Sequence, residues 1–118
     1  MSNKLIGDYG EKKACDYLKN KGFEIIERNW RTRSGEIDII VKKADLLVFV
    51  EVKTLPKGNI DVLKRVLNPD KLKRILKTSK RFLINNRQYS NSLIRFDVVV
   101  IDMPGFESVY HIENAFTE

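Results

Sequence analysis

The sequence holds one cysteine, one histidine and no long apolar run, and each scarcity removes a class of function. Cys15 alone permits no internal disulfide, which points to a reducing compartment, the cytoplasm. With His111 the single imidazole and Cys15 the single thiol, a zinc or copper site is poorly supplied with ligands. The longest apolar runs, Leu46 to Val50 and Val98 to Ile101, fall far short of the roughly 18 residues that a membrane-spanning helix needs. The start, Met1 to Asp8, meets charge before it can hold an apolar stretch of about 7–15 residues, so no secretory signal is expected. Repeats, linkers and low-complexity tracts are absent too.

What is present has globular composition. At 118 residues, 42% hydrophobic and 32% charged, the chain can bury a real core, and a single domain over residues 1–118 is expected. Twenty-two Lys and Arg against sixteen Asp and Glu leave a formal charge of +6. Such a surface draws polyanions by counterion release and steering, which favours nucleic acid, although the same charge also serves plain solubility.

Apolar residues Leu5, Ile6, Tyr9, Ala14, Tyr17 and Leu18 recur at helical spacing from Lys4 to Lys21, with Gly22 as the stop. Phe23 to Arg28 reads as a strand and Arg31 to Gly35 as a loop. Glu36 to Val41 and Leu46 to Lys53 read as two more strands joined at Lys42 to Asp45. The second is apolar on one face and mostly apolar on the other, the mark of a central strand. Leu55 to Asn68 reads as a loop with one helical turn near Asp61 to Leu67. Asn68-Pro69 caps a long helix ending near Asn86, with Leu72, Ile75, Leu76, Ser79, Phe82 and Leu83 inside. Its other face carries Lys71, Lys73, Arg74, Lys77, Lys80 and Arg81, which fits a solvated face as well as a polyanion surface. Ile94 to Asp102 is a strand, Pro104-Gly105 breaks it, and Ser108 to Ile112 is a short edge strand. The order α-β-β-β-α-β-β implies an α/β fold with a mixed central sheet flanked by helices.

Charges inside apolar strands carry the chemical signal. Asp38 lies in Glu36-Ile37-Asp38-Ile39-Ile40, and Glu51 and Lys53 share a face in Phe49-Val50-Glu51-Val52-Lys53. Two carboxylates buried side by side must be paired, protonated or bound to a cation. Oxygen ligands suit Mg²⁺ or Mn²⁺, which would activate a water toward a phosphodiester, with Lys53 as base or charge stabiliser. The plainer alternative is that Glu51 and Lys53 form an ion pair while Asp38 bonds a backbone amide. Trp30 reads as closing off a sheet edge, with base stacking as the alternative. Arg31 and Arg33 are candidate phosphate contacts, Asp97 with Arg95 a structural ion pair, and His111 a surface residue.

The chain resembles the YraN family of endonuclease-like bacterial proteins, akin in fold to Holliday-junction resolvases. The resemblance runs through Gly7, Gly10-Glu11, Ala14, Gly22-Phe23, Arg28-Asn29-Trp30-Arg31, Gly35-Glu36-Ile37-Asp38, Phe49-Val50-Glu51-Val52-Lys53, Lys71, Arg95-Phe96-Asp97 and Asn114-Ala115-Phe116. It implies a restriction-endonuclease-like PD-(D/E)xK core, with Asp38 and Glu51 as metal ligands, Glu11 as a further ligand and Lys53 assisting. It also implies phosphate contact by Lys71, with Arg74 beside it, and a homodimer by analogy with resolvases. In one departure, Thr54-Leu55-Pro56 stands where the family has a basic residue and then a Phe-Gly pair; substrate preference and competence turn on that loop. The expected function is a metal-dependent endonuclease acting on DNA, with branched DNA the substrate that fold analogy suggests. The rival expectations are a non-catalytic nucleic-acid-binding module and a protein-interaction adaptor.

Overall fold

Ser2 opens the chain's first helix, α1 (Asn3–Asn20), its Oγ accepting from the Leu5 N–H at 3.2 Å. The computed structural model describes residues 2–117. Ion pairs one turn apart, Lys4 with Asp8 at 3.3 Å and Lys12 with Asp16 at 3.1 Å, balance the outer face of α1. Its inner face buries Ala14, Cys15 and Leu18. Three strands follow as an antiparallel meander, β1 (Glu24–Thr32), β2 (Gly35–Lys43) and β3 (Leu46–Thr54), joined by the tight turns Arg33-Ser34 and Ala44-Asp45.

Two helices then carry the chain across the sheet. α2 (Ile60–Val66) is capped by the Asn59 side chain, and α3 (Pro69–Asn85) by Asn68, whose Oδ1 accepts from the Lys71 N–H at 3.0 Å. A short 3₁₀ turn (Arg87–Tyr89) leads into β4 (Leu93–Ile101), parallel to β3, and β5 (Val109–Ile112) returns antiparallel on the outer edge. The result is a five-stranded mixed sheet in the order β1-β2-β3-β4-β5, with helices on both faces, compatible with a restriction-endonuclease-like core.

β3 is central, as its two apolar faces require. Val48, Val50 and Val52 pack beneath α1 with Ala14 and Leu18, while Leu47 and Phe49 pack beneath α3 with Ile75 and Phe82. Each large side chain so buried contributes about 1.5–3 kcal/mol. Leu63 of α2 covers Val98, Val100 and Met103. Trp30 closes the β1 edge, its ring meeting Phe82 edge-on at 5.2 Å, so the indole belongs to the core.

The sequence reading and the fold differ in three places. α2 is a full helix, making the order α-β-β-β-α-α-β-β; at seven residues with only Leu63 buried, it is too short for apolar periodicity to announce it. β1 continues through Thr32, because pairing of Arg31 with Glu36 and Thr32 with Gly35 holds polar residues in the ladder. His111 is not a surface residue. Its side chain is 4% exposed, and Nε2 lies 2.7 Å from Asp97, because β5 folds the ring over β4. Asp97, fully buried, also takes two 2.8 Å bonds from Arg95, the expected ion pair, and one from the Asn114 N–H. Burial pushes the Asp97 carboxyl up, but the bonds from His111, Arg95 and Asn114 outweigh it and hold its pKa below the ordinary value.

Gly10 sets how close α1 comes to β3. A methyl group there would overlap Thr54 Oγ1 and stand 3.1 Å from Thr54 Cβ. Helix propensity alone would make Gly10→Ala stabilising by about 1 kcal/mol. The contact should reverse that sign, with a net loss of about 1–3 kcal/mol by urea denaturation. An unchanged or higher midpoint would mean that α1 can withdraw freely from β3.

Candidate active site

β2 and β3 pair in register from Lys43 and Leu46 up to Ile39 and Val50, and there the ladder stops. The same register would next set Asp38 opposite Glu51 and then Ile37 opposite Val52, but the Val52 N–H instead donates to Asp38 Oδ2 at 2.8 Å. A side chain thus takes the place of a backbone acceptor, and the strands part around it. The irregularity is matched on β1. Arg28 pairs with Ile39 and Trp30 with Ile37, which sets Asn29 across from Asp38, and Asn29 has a φ of +52° in mid-strand. Side-chain alternation breaks at the same point, since Ile37 and Ile40 both pack beneath α3.

Glu51 faces the gap so opened. It is 4% exposed, yet it sits in the wall of a cleft of about 380 Å³ lined also by Glu11, Asp38, Lys53, Thr54 and Lys71. Burial, then the charge of Asp38 and a hydrogen bond with it, push the Glu51 pKa up to about 8. Lys71, with Nζ at 3.6 Å, and Lys53, at 3.5 Å, pull the other way without prevailing. Glu51 therefore keeps its proton through neutral pH. Glu11, reaching in from α1, is raised as well, first by burial and then by Asp38, while a hydrogen bond from Asn29 opposes the rise.

The cleft gathers Glu11, Asp38, Glu51, Lys53 and Lys71 from four elements, α1, β2, β3 and α3. Both features of the plainer alternative are present too, the Lys53–Glu51 pair and the Asp38 bond to a backbone amide. The contact between Asp38 and Glu51 goes beyond them. Among the described residues, no three His, Cys, Asp or Glu side chains cluster tightly enough to hold an ion. The donor set that fits a divalent cation is accordingly the Asp38 and Glu51 carboxylates, completed by water, an arrangement that suits Mg²⁺.

The other candidates fall outside the cleft. Arg31 pairs with Glu36 at 3.3 Å on the β1 edge. Arg33 lies in the β1–β2 turn beside α3, in a separate groove with Lys77 and Arg81. Arg74 is exposed on α3 and lines neither hollow. Asn29 is the residue that pattern reading passes over. Its signal was an asparagine inside a strand, since asparagine is among the few residue types that visit the left-handed region.

Glu51 gives a signed pH dependence. Folded Glu51 keeps its proton to about 8, whereas the unfolded group releases it near 4.5. The folded state therefore binds more protons between those limits, and stability falls as pH rises across them. Glu51→Gln should flatten that slope in denaturation profiles taken over the interval. A wild-type stability that is level or rising there would refute the proton held on Glu51.

The uncharacterised protein family UPF0102 matches residues 10–101 of the chain. A UPF0102 protein of Treponema denticola is 43% identical over 122 residues, covering 94% of each chain. One from Alkaliphilus oremlandii is 43% identical over 118 residues, covering 97% of this chain and 99% of its own. One from Clostridioides difficile is 40% identical over 116 residues, covering 98% of this chain and all of its own. With a match across both the helix that carries Glu11 and the strands that carry Asp38 and Glu51, the chain belongs to the UPF0102 family.

Proposed function

We propose that this chain is a nuclease of the PD-(D/E)xK type, akin to the YraN proteins, which hydrolyses phosphodiester bonds of DNA with Mg²⁺ or Mn²⁺. The observation that carries the proposal is the pair formed by buried Glu51 and half-buried Asp38, which opens onto a cleft that also holds two lysines. Facing carboxyl groups of which one keeps its proton are a poor structural element and a good cation site, because a divalent ion relieves the repulsion that the proton otherwise relieves. When bound, the ion would supply an activated water and charge for the phosphate oxygens.

The side chains divide the remaining work. Asp38 and Glu51 would hold the ion, and Asp38 is oriented for it by the Val52 N–H. Lys53, 3.5 Å from Glu51 on the same strand face, would donate to the attacking water or to a phosphate oxygen. Lys71, at the N-terminal end of α3, is placed to meet a second phosphate oxygen. Glu11 stands at the α1 side of the cleft as a further acid. Branched DNA is the substrate shape that the fold analogy suggests.

A second reading has its own support. Both lysines already partner Glu51 at 3.5 and 3.6 Å, and a site whose acid is satisfied by lysine can serve as a non-catalytic nucleic-acid-binding scaffold. Metal separates the two. Under the nuclease proposal, Mg²⁺ raises the thermal midpoint of the wild type at pH 8 and does not raise that of Asp38→Asn or Glu51→Gln. Cleavage of a panel of single-stranded, duplex, flapped and four-way DNA should fall about 1000-fold or more in Asp38→Asn, Glu51→Gln and Lys53→Ala, with the fold retained. Wild-type cleavage in all three variants would overturn the proposal, and binding without metal response would favour the scaffold.

A further inference from the structure

A hollow lined by basic residues lies away from the acidic cleft, between the β1–β2 turn and α3. It has a volume of about 700 Å³, and its walls include Arg33, Ser34, Lys77, Lys80, Arg81 and Asn85. We propose that this groove binds the phosphate backbone of a nucleic-acid duplex flanking the cleft. The inference rests on the nucleic-acid reading above but does not require cleavage.

The charge distribution is the first support. α3 carries six cations and the single acid Asp70, so it accounts for nearly all of the chain's net charge of +6. The two long helices treat their lysines differently. In α1, Lys4 and Lys12 each have an aspartate one turn on. In α3, Lys73, Lys77 and Arg81 follow one another at intervals of four with no acid among them, a spacing that repels and weakens a helix. Among the described residues, no carboxylate pairs with Arg33, Lys77 or Arg81, and all three are exposed. Charge arranged against the helix's own stability fits a partner of opposite sign.

The turn that completes the groove is fixed in place. The Ser34 N–H donates to Thr32 Oγ1 at 3.1 Å, and Ser34 Oγ lies 3.2 Å from Thr78 Oγ1 on α3. Gly35, at φ +152°, lets the backbone press on Thr78, where a Cβ would stand 3.1 Å from Oγ1. Arg33 is thereby held opposite the α3 cations before any ligand arrives, which lowers the ordering cost of binding.

The lining also selects the ligand's form. Apart from Ile84, the lining offers cations, hydroxyl groups and an amide, which are groups that contact phosphates, and no aromatic residue is among it. Sites for single strands combine charge with aromatic platforms for unstacked bases, so this surface matches a duplex, whose bases are turned inward. From Lys71 in the cleft to Arg81 in the groove, α3 rises about 15 Å, or about four base-pair steps of a duplex. A duplex laid along α3 would present one phosphate to the cleft while others are gripped by the groove.

The test is equilibrium binding of a labelled DNA duplex, and of a single strand of equal length, over a range of salt with EDTA present so that nothing is cut. For Arg33→Ala/Lys77→Ala/Arg81→Ala, the slope of log affinity against log salt should fall by about 2.7 and duplex affinity at least about tenfold, with an unchanged thermal midpoint. Lys77→Gln alone should lower the slope by about 0.9, which keeps the question answerable if the triple variant does not fold. Wild-type slope and affinity in these variants, or tighter binding of the single strand than of the duplex by the wild type, would overturn the groove. Because binding is read without metal, these outcomes stand whether or not the protein cleaves; loss of binding in the variant of a protein that never cuts would keep the groove and remove the nuclease.

Discussion

Where β2 and β3 part, the buried carboxyl group of Glu51 meets that of half-buried Asp38, and the free energy of that encounter governs the site. Glu51 resolves it by keeping a proton to about pH 8 in spite of two lysines within 3.6 Å. The lysines do not prevail because burial penalises the charged carboxylate and the nearby Asp38 penalises it again. An arrangement of this kind adds little to stability, since apolar residues of the same size would pack there at lower cost. Its value lies in what can replace the proton.

The fold is built so that this encounter happens. Gly10 allows α1 to lie against Thr54, which carries Glu11 to the cleft's rim. The left-handed backbone at Asn29 matches the irregularity at Asp38, and the Val52 N–H aims the Asp38 carboxylate into the gap. α3 then brings Lys71 to the same opening and extends its basic face away from it. The second buried acid, Asp97, shows the contrast. Arg95, His111 and Asn114 satisfy it completely, its pKa is lowered, and it serves the packing of β5 on β4.

Much of this was legible in the sequence, for identifiable reasons. β3 could be read as central because both of its faces are apolar, and the placement of Glu51 and Lys53 on one face follows from a period of two. Asp38 stood out as a charge in an apolar strand. α2 was read as only one helical turn near Asp61 to Leu67, because a seven-residue helix with one buried leucine leaves little periodic trace. His111 was misjudged because its burial depends on a diagonal contact across β4 and β5, which no local pattern encodes. The role of Asn29 was hidden for a similar reason, since it depends on what lies across the strand pair. Pattern reading also could not divide the basic residues into the one that enters the cleft, Lys71, and those that line the groove, Arg33, Lys77 and Arg81.

Under the proposed function, the cleft would hold a cation and the basic face of α3 would extend from it along the nucleic acid. The claim at the centre is that the Asp38–Glu51 pair exchanges a proton for a divalent ion. The most direct measurement is a titration of the Glu51 side-chain carboxyl by carbon-13 NMR, with and without Mg²⁺, using Glu51→Gln to assign the resonance. The account expects a midpoint of about 8 without the ion and a marked fall in that midpoint when it is added. A midpoint in the ordinary glutamate range, indifferent to Mg²⁺, would contradict it.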